Sequence, residues 1–461
     1  MSTVNRPKVK MPPLRTHEGA IAKRISSIDE LRRTVSSCFL WEDDFYENGE
    51  SIADRIAKLV ATIADHDAVA ALAIEARSSM NLRHAPLLIM RELARHGWMK
   101  AADLAKVIQR ADEPAEFLAM YWSKGKTPIS NQVKKGLALA LNKFDEYSLG
   151  KYNGDKEIRN RDVLFLTHMK PRGSAKRKLT KAERKANAKL ELNDKEILAK
   201  KLAEDTLAIP DTWETEFSAG KDKKLTMLRL MKEDKLGALA TLRNLRKMQE
   251  VGVPLDDISA HIRAMDVKRV LPFRFIAAAR YAPALEPVLE EAMFRNITES
   301  GYTLPGKTVV LVDVSGSMDQ KLSSKSDMSK LDAAEGLAMI LREIANTRVF
   351  SFSQETVEVP ARRGFALRDA ITSSQGHGGT YLAKAIQHLN ATVQYDNLIV
   401  ITDEQSADGG GKPKGNTSFM INVASAKNGV GYGVWNHVDG FSESIVRYIA
   451  QVVQSKTADQ R

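Results

Sequence analysis

The sequence predicts a multidomain protein of the α + α/β class, with helices in the first two thirds and an α/β domain after them. At 461 residues the chain exceeds what one hydrophobic core usually serves. From residue 27 to 292 apolar side chains recur three and four positions apart, which is typical of helices. After Gly301 short β-rich runs alternate with helical stretches, which predicts a mostly parallel sheet.

The composition is that of a globular protein and argues against a membrane-spanning or secreted one. Hydrophobic residues make up 43% and charged residues 28%, as in ordinary globular proteins. The sequence contains no apolar run of the roughly 20 residues that span a bilayer, and its N-terminus lacks the apolar region of a signal peptide. Cys38 is the only cysteine, so a disulfide within the chain is excluded. We therefore expect a cytoplasmic protein with no membrane partner.

The positive charge is unevenly distributed. The formal net charge is +11. Residues 301–461 hold 16 basic and 16 acidic residues, so the whole excess lies in residues 1–300, which hold 53 and 42. Such a basic surface favours an acidic polymer such as nucleic acid, because neutralised phosphates release their counterions. Composition leaves a merely soluble basic surface open as the alternative.

The helical pattern is interrupted roughly every 12 to 20 residues, which predicts stacked antiparallel helix pairs. Because no strict repeat period is evident, a HEAT-like array with degenerate repeats fits best. Residues 170–201 hold 12 basic and 4 acidic residues, and we interpret the segment at about 170–205 as a basic insertion. It is either an arm that follows phosphates, which we prefer, or a solvated helical hairpin.

Oxygen-bearing side chains follow the first predicted strand, Val309 to Val312. Asp313, Ser315 and Ser317 are spaced two apart, so their side chains point the same way. They converge at the carboxyl end of a parallel strand, where open α/β sheets bind ligands. Hard oxygen donors suit a divalent cation, with Mg²⁺ first and Ca²⁺ or Mn²⁺ as alternatives, rather than zinc.

Two further residues with oxygen donors for a cation lie later in the chain. Thr380 follows two glycines, and Asp403 ends a second apolar strand, Leu398 to Thr402. The set Asp313, Ser315, Ser317, Thr380 and Asp403 is similar to a metal-ion-dependent adhesion site, so residues 301–461 resemble a Rossmann-like von Willebrand factor A domain. Such a site leaves one coordination position for an acidic residue of a partner. No nucleophile with an adjacent base is evident, so we expect the chain not to be an enzyme.

The helical part resembles the TROVE module of the Ro ribonucleoprotein family, which comprises the Ro autoantigen and its bacterial relatives. Together with the A domain, the resemblance identifies a bacterial-type member with a TROVE module at 14–300 and an A domain at 301–461. It rests on ordered blocks: Leu14 to Gly19, Phe45-Tyr46, Gly49-Glu50, Arg83 to Pro86, Phe117 to Trp122, Lys135 to Leu137, Lys143 to Tyr147, Lys151-Tyr152, Arg161 to Val163, His168 to Pro171, Thr212 to Glu214, Leu242 to Met248 and Leu271 to Phe275.

The resemblance implies a HEAT-like α-helical ring closed by the A domain, and a monomer. Its central hole would take single-stranded 3′ ends of misfolded RNA, and its outer surface would bind a small structured, Y-like RNA. Bacterial members tether an exoribonuclease through such an RNA. The expected function is that of an adaptor in RNA quality control or processing.

Candidate RNA-binding residues follow from the same resemblance. Lys151 and His168 match positions that contact RNA on the outer face. Relatives carry an arginine where this chain has Asp155, and Arg159 and Arg161 could replace it. As alternatives, His168 could be a core histidine, and arginines of the hole could be salt-bridged between helices. The candidates for the hole are Arg243, Asn244 and Arg246, and Lys134 and Lys135 complete the predicted set.

Two other functions compete with RNA binding. The first is a cation-dependent protein–protein assembly module without specific RNA binding, in which the basic charge is incidental. The second is a metal-dependent nuclease, which would need carboxylates aligned around a metal pair, and the sequence offers no such cluster. The clustered basic charge and the ordered blocks favour the RNA-binding adaptor.

Overall fold

The computed structural model describes residues 14–16, 18–21, 26–37, 49–80, 82–154, 156–173, 193–268, 270, 273–299, 301–322, 326–424, 428–440 and 444–459. These residues form two compact units. The described residues of the helical unit fall within 53–236 and 251–253, and those of the sheet unit fall within 14–52, 237–250 and 254–459. Within the described ranges, no helix combines the length and apolar character needed to cross a membrane.

Helices account for the regular structure before the sheet. In chain order they are α1 (Ser27–Ser37), α2 (Gly49–Thr62), α3 (His66–Ser78), α4 (His84–Arg95), α5 (Ala101–Val107), α6 (Glu113–Tyr121), α7 (Asn131–Leu141), α8 (Glu146–Lys151), α9 (Asn160–Thr167), α10 (Asp194–Glu204), α11 (Trp213–Ser218), α12 (Lys223–Lys232), α13 (Ala238–Glu250), α14 (Leu255–Ala264), α15 (Phe273–Tyr281) and α16 (Glu286–Glu299).

Several helices of the helical unit pack on the next helix in the chain or on the next but one. α3 packs on α4, α5 on α7, and α7 on α9. The pair α5 and α7 approaches closely at Gly136, where an added Cβ would lie 2.9 Å from the Leu104 side chain and 3.0 Å from the Ala101 carbonyl. The absence of a side chain at this position is therefore what permits the close packing.

The sheet unit is built on a six-stranded sheet in the order β3-β2-β1-β4-β5-β6. All neighbouring strands are parallel except β2 and β3. Apolar residues of β1 and β4 form a core with those of α19, which covers the sheet. The elements are β1 (Leu304–Asp313), α17 (Lys330–Ile344), β2 (Ala345–Phe352), β3 (Thr356–Glu358), α18 (Gly364–Thr372), α19 (Leu382–Thr392), β4 (Asn397–Thr402), β5 (Thr417–Asn422), β6 (Asn436–Asp439) and α20 (Ser444–Asp459).

Helices from two distant parts of the chain contact the sheet domain within this unit. α1 packs against β6. The Thr16 hydroxyl donates to the Ser406 carbonyl at 2.9 Å, and the Asn428 side chain donates to the Arg15 carbonyl at 2.9 Å. From the later helices, α15 and α16 both pack on α17. The sheet domain is thus bound by the first described helix and by the last helices that precede it.

The predicted fold class is confirmed, because a helical region precedes a mixed α/β sheet. The sequence predicts the final strand at residues 418–425 or at residues 429–435, and this prediction was wrong. The run from Ser418 forms the fifth strand, and the sixth, Asn436–Asp439, begins just after the alternative run that ends at Trp435. β6 has only four residues and pairs only with β5. An alternation of polar and apolar residues over so short a segment cannot be recognised as a strand in a sequence. The basic insertion lies largely outside the described residues.

A buried carboxyl group on α17 should make stability depend on pH. Burial raises the pKa of Glu335 to about 8, although the Thr372 hydroxyl donates a hydrogen bond to it at 2.5 Å. Its folded-state pKa is above its unfolded value, so its contribution is complete below about pH 4.5 and is lost as pH rises to about 8. We expect the free energy of unfolding to fall by up to about 1.4 kcal/mol per pH unit in this window.

Replacement of this carboxyl by a neutral amide should remove that dependence. Glu335→Gln is expected to match the parent protein near pH 4.5 and to exceed its stability at pH 8, measured by thermal unfolding across the range. Glu299→Gln changes an exposed carboxylate on α16 and serves as the control. Equal pH profiles for Glu335→Gln and the parent protein would contradict the assignment of a buried neutral carboxyl.

Candidate cation site and candidate nucleic-acid interface

The two predicted carboxylate ligands lie at the ends of neighbouring parallel strands. Val312 of β1 pairs with Ile401 of β4, so Asp313 and Asp403 follow the paired positions on the same edge of the sheet. Asp313 is fully buried. Its carboxylate accepts a hydrogen bond from the Ser315 amide at 2.9 Å and another from the Thr402 hydroxyl at 2.5 Å.

The predicted hydroxyl ligands occupy two loops that are tied together above this edge. The Ser315 and Ser317 hydroxyl oxygens lie 3.3 Å apart. The Gly316 amide donates to the Gly378 carbonyl at 3.1 Å, which brings the loop of Thr380 beside the loop of the serines. Thr380 is buried, and its carbonyl accepts from Ala407 at 2.9 Å. The structure thus gathers the elements that carry all five predicted donors.

The electrostatics of the carboxylate pair fit a bound cation. Burial, and then the charge of Asp403, raise the pKa of Asp313 to about 7. Two buried carboxylates repel each other, and a divalent cation between them would relieve that repulsion. Across the described ranges no group of three or more His, Cys, Asp or Glu side chains could hold a metal ion. The hydroxyls of the serines and Thr380 would therefore have to complete the coordination, as hard donors for Mg²⁺, Ca²⁺ or Mn²⁺.

Two residues that sequence reasoning missed also border this site. The Lys330 ammonium lies 3.4 Å from an Asp403 carboxylate oxygen, and the lysine side chain is 1% exposed. At the rim, the His377 ring contacts Asp319 at 2.7 Å and the Thr372 carbonyl at 2.9 Å. Burial would lower the pKa of His377, but these contacts outweigh it and raise the pKa. A lysine at the first position of an amphipathic helix gives no sequence signal of burial.

A buried ionic cluster, also missed, connects α1 to the loop after β4. Arg33 pairs with Glu404 at 2.7 Å, and these side chains are 1% and 0% exposed. His437 contacts the other oxygen of Glu404 and lies 3.5 Å from Asp439. Burial would raise the pKa of Glu404, but the charges of Arg33 and His437 lower it to about 2. Glu404 adopts a left-handed backbone (φ 60°), a strained conformation that this cluster fixes in place.

The candidate RNA-binding residues of the helical unit lie on α7 to α9. His168 is exposed at a left-handed position after α9, so it is not a core histidine. The Lys151 ammonium lies 5.9 Å from the Tyr152 ring centre, and the Arg161 guanidinium lies 5.8 Å from that of Phe165, which is 51% exposed. Lys134 is partly exposed and Lys135 exposed on α7, whereas Asp155 lies outside the described residues.

Among the candidates of the helical unit, Arg159 has a carboxylate partner. Its guanidinium pairs with Asp205 at 3.0 Å, where the Asn153 amide also donates at 2.7 Å. Hydrogen bonds from Asn153 and Arg159 lower the pKa of Asp205. Arg159 therefore fixes the loop before α9 to the end of α10.

The candidates for the hole lie on α13 of the sheet unit and differ in exposure. Arg243 is exposed and, among the described residues, has no ion-pair partner. Asn244 is 5% exposed, and its amide donates to the Ala240 carbonyl of its own helix. Arg246 is exposed and pairs with Glu250 within the helix at 2.9 Å, rather than between helices. Asn244 is thus placed in the core and not on the surface with the arginines.

A further arginine, on α15, joins this surface. Partial burial of its guanidinium, and then the nearby charge of Arg243, lower the pKa of Arg274, although the residue keeps an exposed surface. Tyr281 is also exposed, with the Arg246 guanidinium 6.0 Å from its ring centre. We call Arg243, Arg246, Arg274 and Tyr281 the α13–α15 face. Arg274 stands in a block that carried the family resemblance, but its charge went unused in the prediction.

Comparisons with known proteins cover both units. Residues 200–343 match the family model of the TROVE domain, and residues 307–416 match that of the Ro60 vWA domain. The crystal structure of the Deinococcus radiodurans Ro (RSR) protein is similar at a TM-score of 0.57 and 16% identity, covering 94% of this chain and 100% of that one. At that identity the likeness shows the fold. A comparison with curated protein sequences found no match.

Proposed function

We propose that the chain acts as an RNA-binding ribonucleoprotein component of the Ro type, in which a TROVE domain is joined to a von Willebrand factor A domain, because parts of it match the family models of both domains. Its α13–α15 face binds single-stranded 3′ ends of misfolded RNA. A second surface, on α8 and α9, binds a small structured, Y-like RNA. The protein is an adaptor in RNA quality control or processing rather than an enzyme, and it works in the cytoplasm as a monomer.

The observation that carries the proposal is the clustering of three exposed arginines and an exposed tyrosine on the α13–α15 face. Arg243 and Arg274 lie close enough for one to lower the pKa of the other. Two guanidinium groups kept together at a surface repel each other, and a phosphate between them would remove that repulsion. Tyr281 adds an exposed ring on which a base can stack, so the face combines the two features of single-strand binding.

The second surface has the chemistry that suits a folded RNA. Lys151 and Arg161 supply cationic groups, His168 supplies an exposed imidazole, and Phe165 supplies an exposed ring beside Arg161. We call these four residues the α8–α9 face. Phosphate contacts of this kind recognise the shape of an RNA more than its sequence. The exposure of His168 favours this role, because a core histidine could not reach a ligand.

The cation site supplies a binding function of a different kind. Asp313 and Asp403 provide two negative charges, and the neutral hydroxyls of Ser315, Ser317 and Thr380 would share a divalent cation, Mg²⁺ first. Such a set leaves a coordination position open on the ion, which an acidic residue of a partner would fill as a further ligand. An exoribonuclease that the RNA tethers is the partner we propose.

The proposal is tested by substitutions that should remove the binding of single-stranded 3′ tails and the binding of the structured RNA separately. We expect Arg243→Ala with Arg274→Ala to weaken binding of a duplex with a single-stranded 3′ tail by about tenfold or more at physiological salt, measured by fluorescence anisotropy. The slope of affinity against salt should fall by about 0.7 for each lost phosphate contact. Lys151→Ala with His168→Ala should instead remove the small structured RNA that crosslinking and immunoprecipitation recovers from the protein's own cells.

Arg348→Ala with Arg362→Ala removes the same charge from exposed positions of the sheet unit and is the matched control. Tail binding that is lost equally in the control would reduce the effect to net charge. Recovered RNA no richer than background would favour the other candidate, a cation-dependent protein assembly module. That function has its own supporting observation, the buried carboxylate pair of the cation site.

A further inference from the structure

The position of Lys330 within the candidate cation site is fixed from both sides. The residue begins α17, where Ser329 caps the helix by accepting from the Asp332 amide at 3.0 Å. Its own amide donates to Gln320 at 2.9 Å, and the next amide donates to Met318 at 2.8 Å. The start of α17 is therefore anchored to the loop that follows Ser317. This anchoring holds the lysine stem in the core, with its ammonium beside Asp403.

The Lys330 ammonium is buried, whereas charged lysine side chains are usually exposed to solvent. Lys330 is 1% exposed and Asp403 is 0% exposed, with 3.4 Å between nitrogen and oxygen. Lysine is almost never fully buried unless it is paired, because an ammonium loses its hydration on burial. Asp403 supplies a compensating charge in contact with the ammonium, and Asp313 ends the adjacent strand. These are the same two carboxylates that would hold a divalent cation.

We propose that Lys330 is the built-in counter-cation of the Asp313–Asp403 pair and competes with a divalent cation for Asp403. The inference rests on the proposed cation site and adds a residue that determines its affinity. Without a metal, the ammonium offsets the repulsion between the carboxylates and keeps the loops of the site in place. When a divalent cation binds, it takes Asp403 from the lysine and is repelled by the ammonium that remains nearby. Lys330 thereby lowers the affinity of the site and makes the folded domain independent of metal.

The test removes this charge from the full-length protein. In Lys330→Met the stem of the side chain is kept and the ammonium is lost. We expect Mn²⁺ to bind this variant about tenfold or more tightly than the parent protein, measured by calorimetry. We also expect Mn²⁺ to raise its unfolding temperature more than that of the parent protein. Lys330→Gln provides a second neutral side chain should the first variant fold poorly, and Lys412→Met removes an exposed lysine as the control.

The outcomes separate this inference from the cation site on which it rests. Tighter Mn²⁺ binding by the neutral variants supports the competition, even if the parent protein binds none, in which case the native site is not a metal site. Equal or weaker binding by the neutral variants than by a metal-binding parent overturns the role of Lys330 and leaves the cation site standing. Absence of Mn²⁺ binding in all of the proteins overturns both.

Discussion

Arg33→Met should lower the free energy of unfolding of the sheet unit by about 3–5 kcal/mol, the largest stability effect we expect from one substitution. The variant would leave Glu404 fully buried without its cation, which is far costlier than never having the pair. Contact of His437 with the same carboxylate would compensate only in part. Urea unfolding followed by circular dichroism measures the loss.

A surface pair gives the matched control for that substitution. Arg348 and Glu358 form an ion pair with both side chains about half exposed, so Arg348→Met should cost roughly 0–1 kcal/mol. A loss from Arg33→Met no greater than from Arg348→Met would show that the pair between α1 and the Glu404 loop is not maintained in solution.

Asp313→Ala should abolish divalent-cation binding while the domain stays folded. Asp313 is one of the two carboxylates of the proposed donor set, so its replacement leaves Asp403 as the only carboxylate ligand of that set. The fold should tolerate the change, because burial and Asp403 already disfavour the ionised form of this carboxyl. Calorimetry with Mg²⁺ and Mn²⁺ reports the binding, and circular dichroism reports the fold.

Two companion variants define what that result means. Asp313→Asn keeps an acceptor for the Ser315 amide and should lose the cation as well, which separates charge from hydrogen bonding. Asp369→Asn changes an exposed carboxylate of the same unit and should leave cation binding intact. Cation affinity in Asp313→Ala equal to that of the parent protein would refute the proposed ligand set.

The features that could be predicted from the sequence are those that depend on short, local patterns of residues. Asp313 and Asp403 each follow an apolar run, and parallel strands bring their carboxyl ends together, so the carboxylate pair could be predicted from two short segments. The Arg33–Glu404 pair could not be predicted, because 371 positions separate its partners and neither has a distinctive neighbourhood. Asn244 shows a related limit, since a polar residue between two exposed arginines gave no sign that its side chain turns into the core.

The long separation of Arg33 and Glu404 in the sequence also has a consequence for folding during translation. During synthesis α1 leaves the ribosome long before the loop that receives the arginine, because 371 positions separate the two partners. Closing so large a loop is slow, and contacts of this range delay folding. The nascent chain must therefore keep α1 in an undocked state until the segment that carries Glu404 has been translated. An expressed fragment that begins at β1 would lack α1 altogether. Its Glu404 carboxylate would therefore never gain the Arg33 guanidinium that neutralises it.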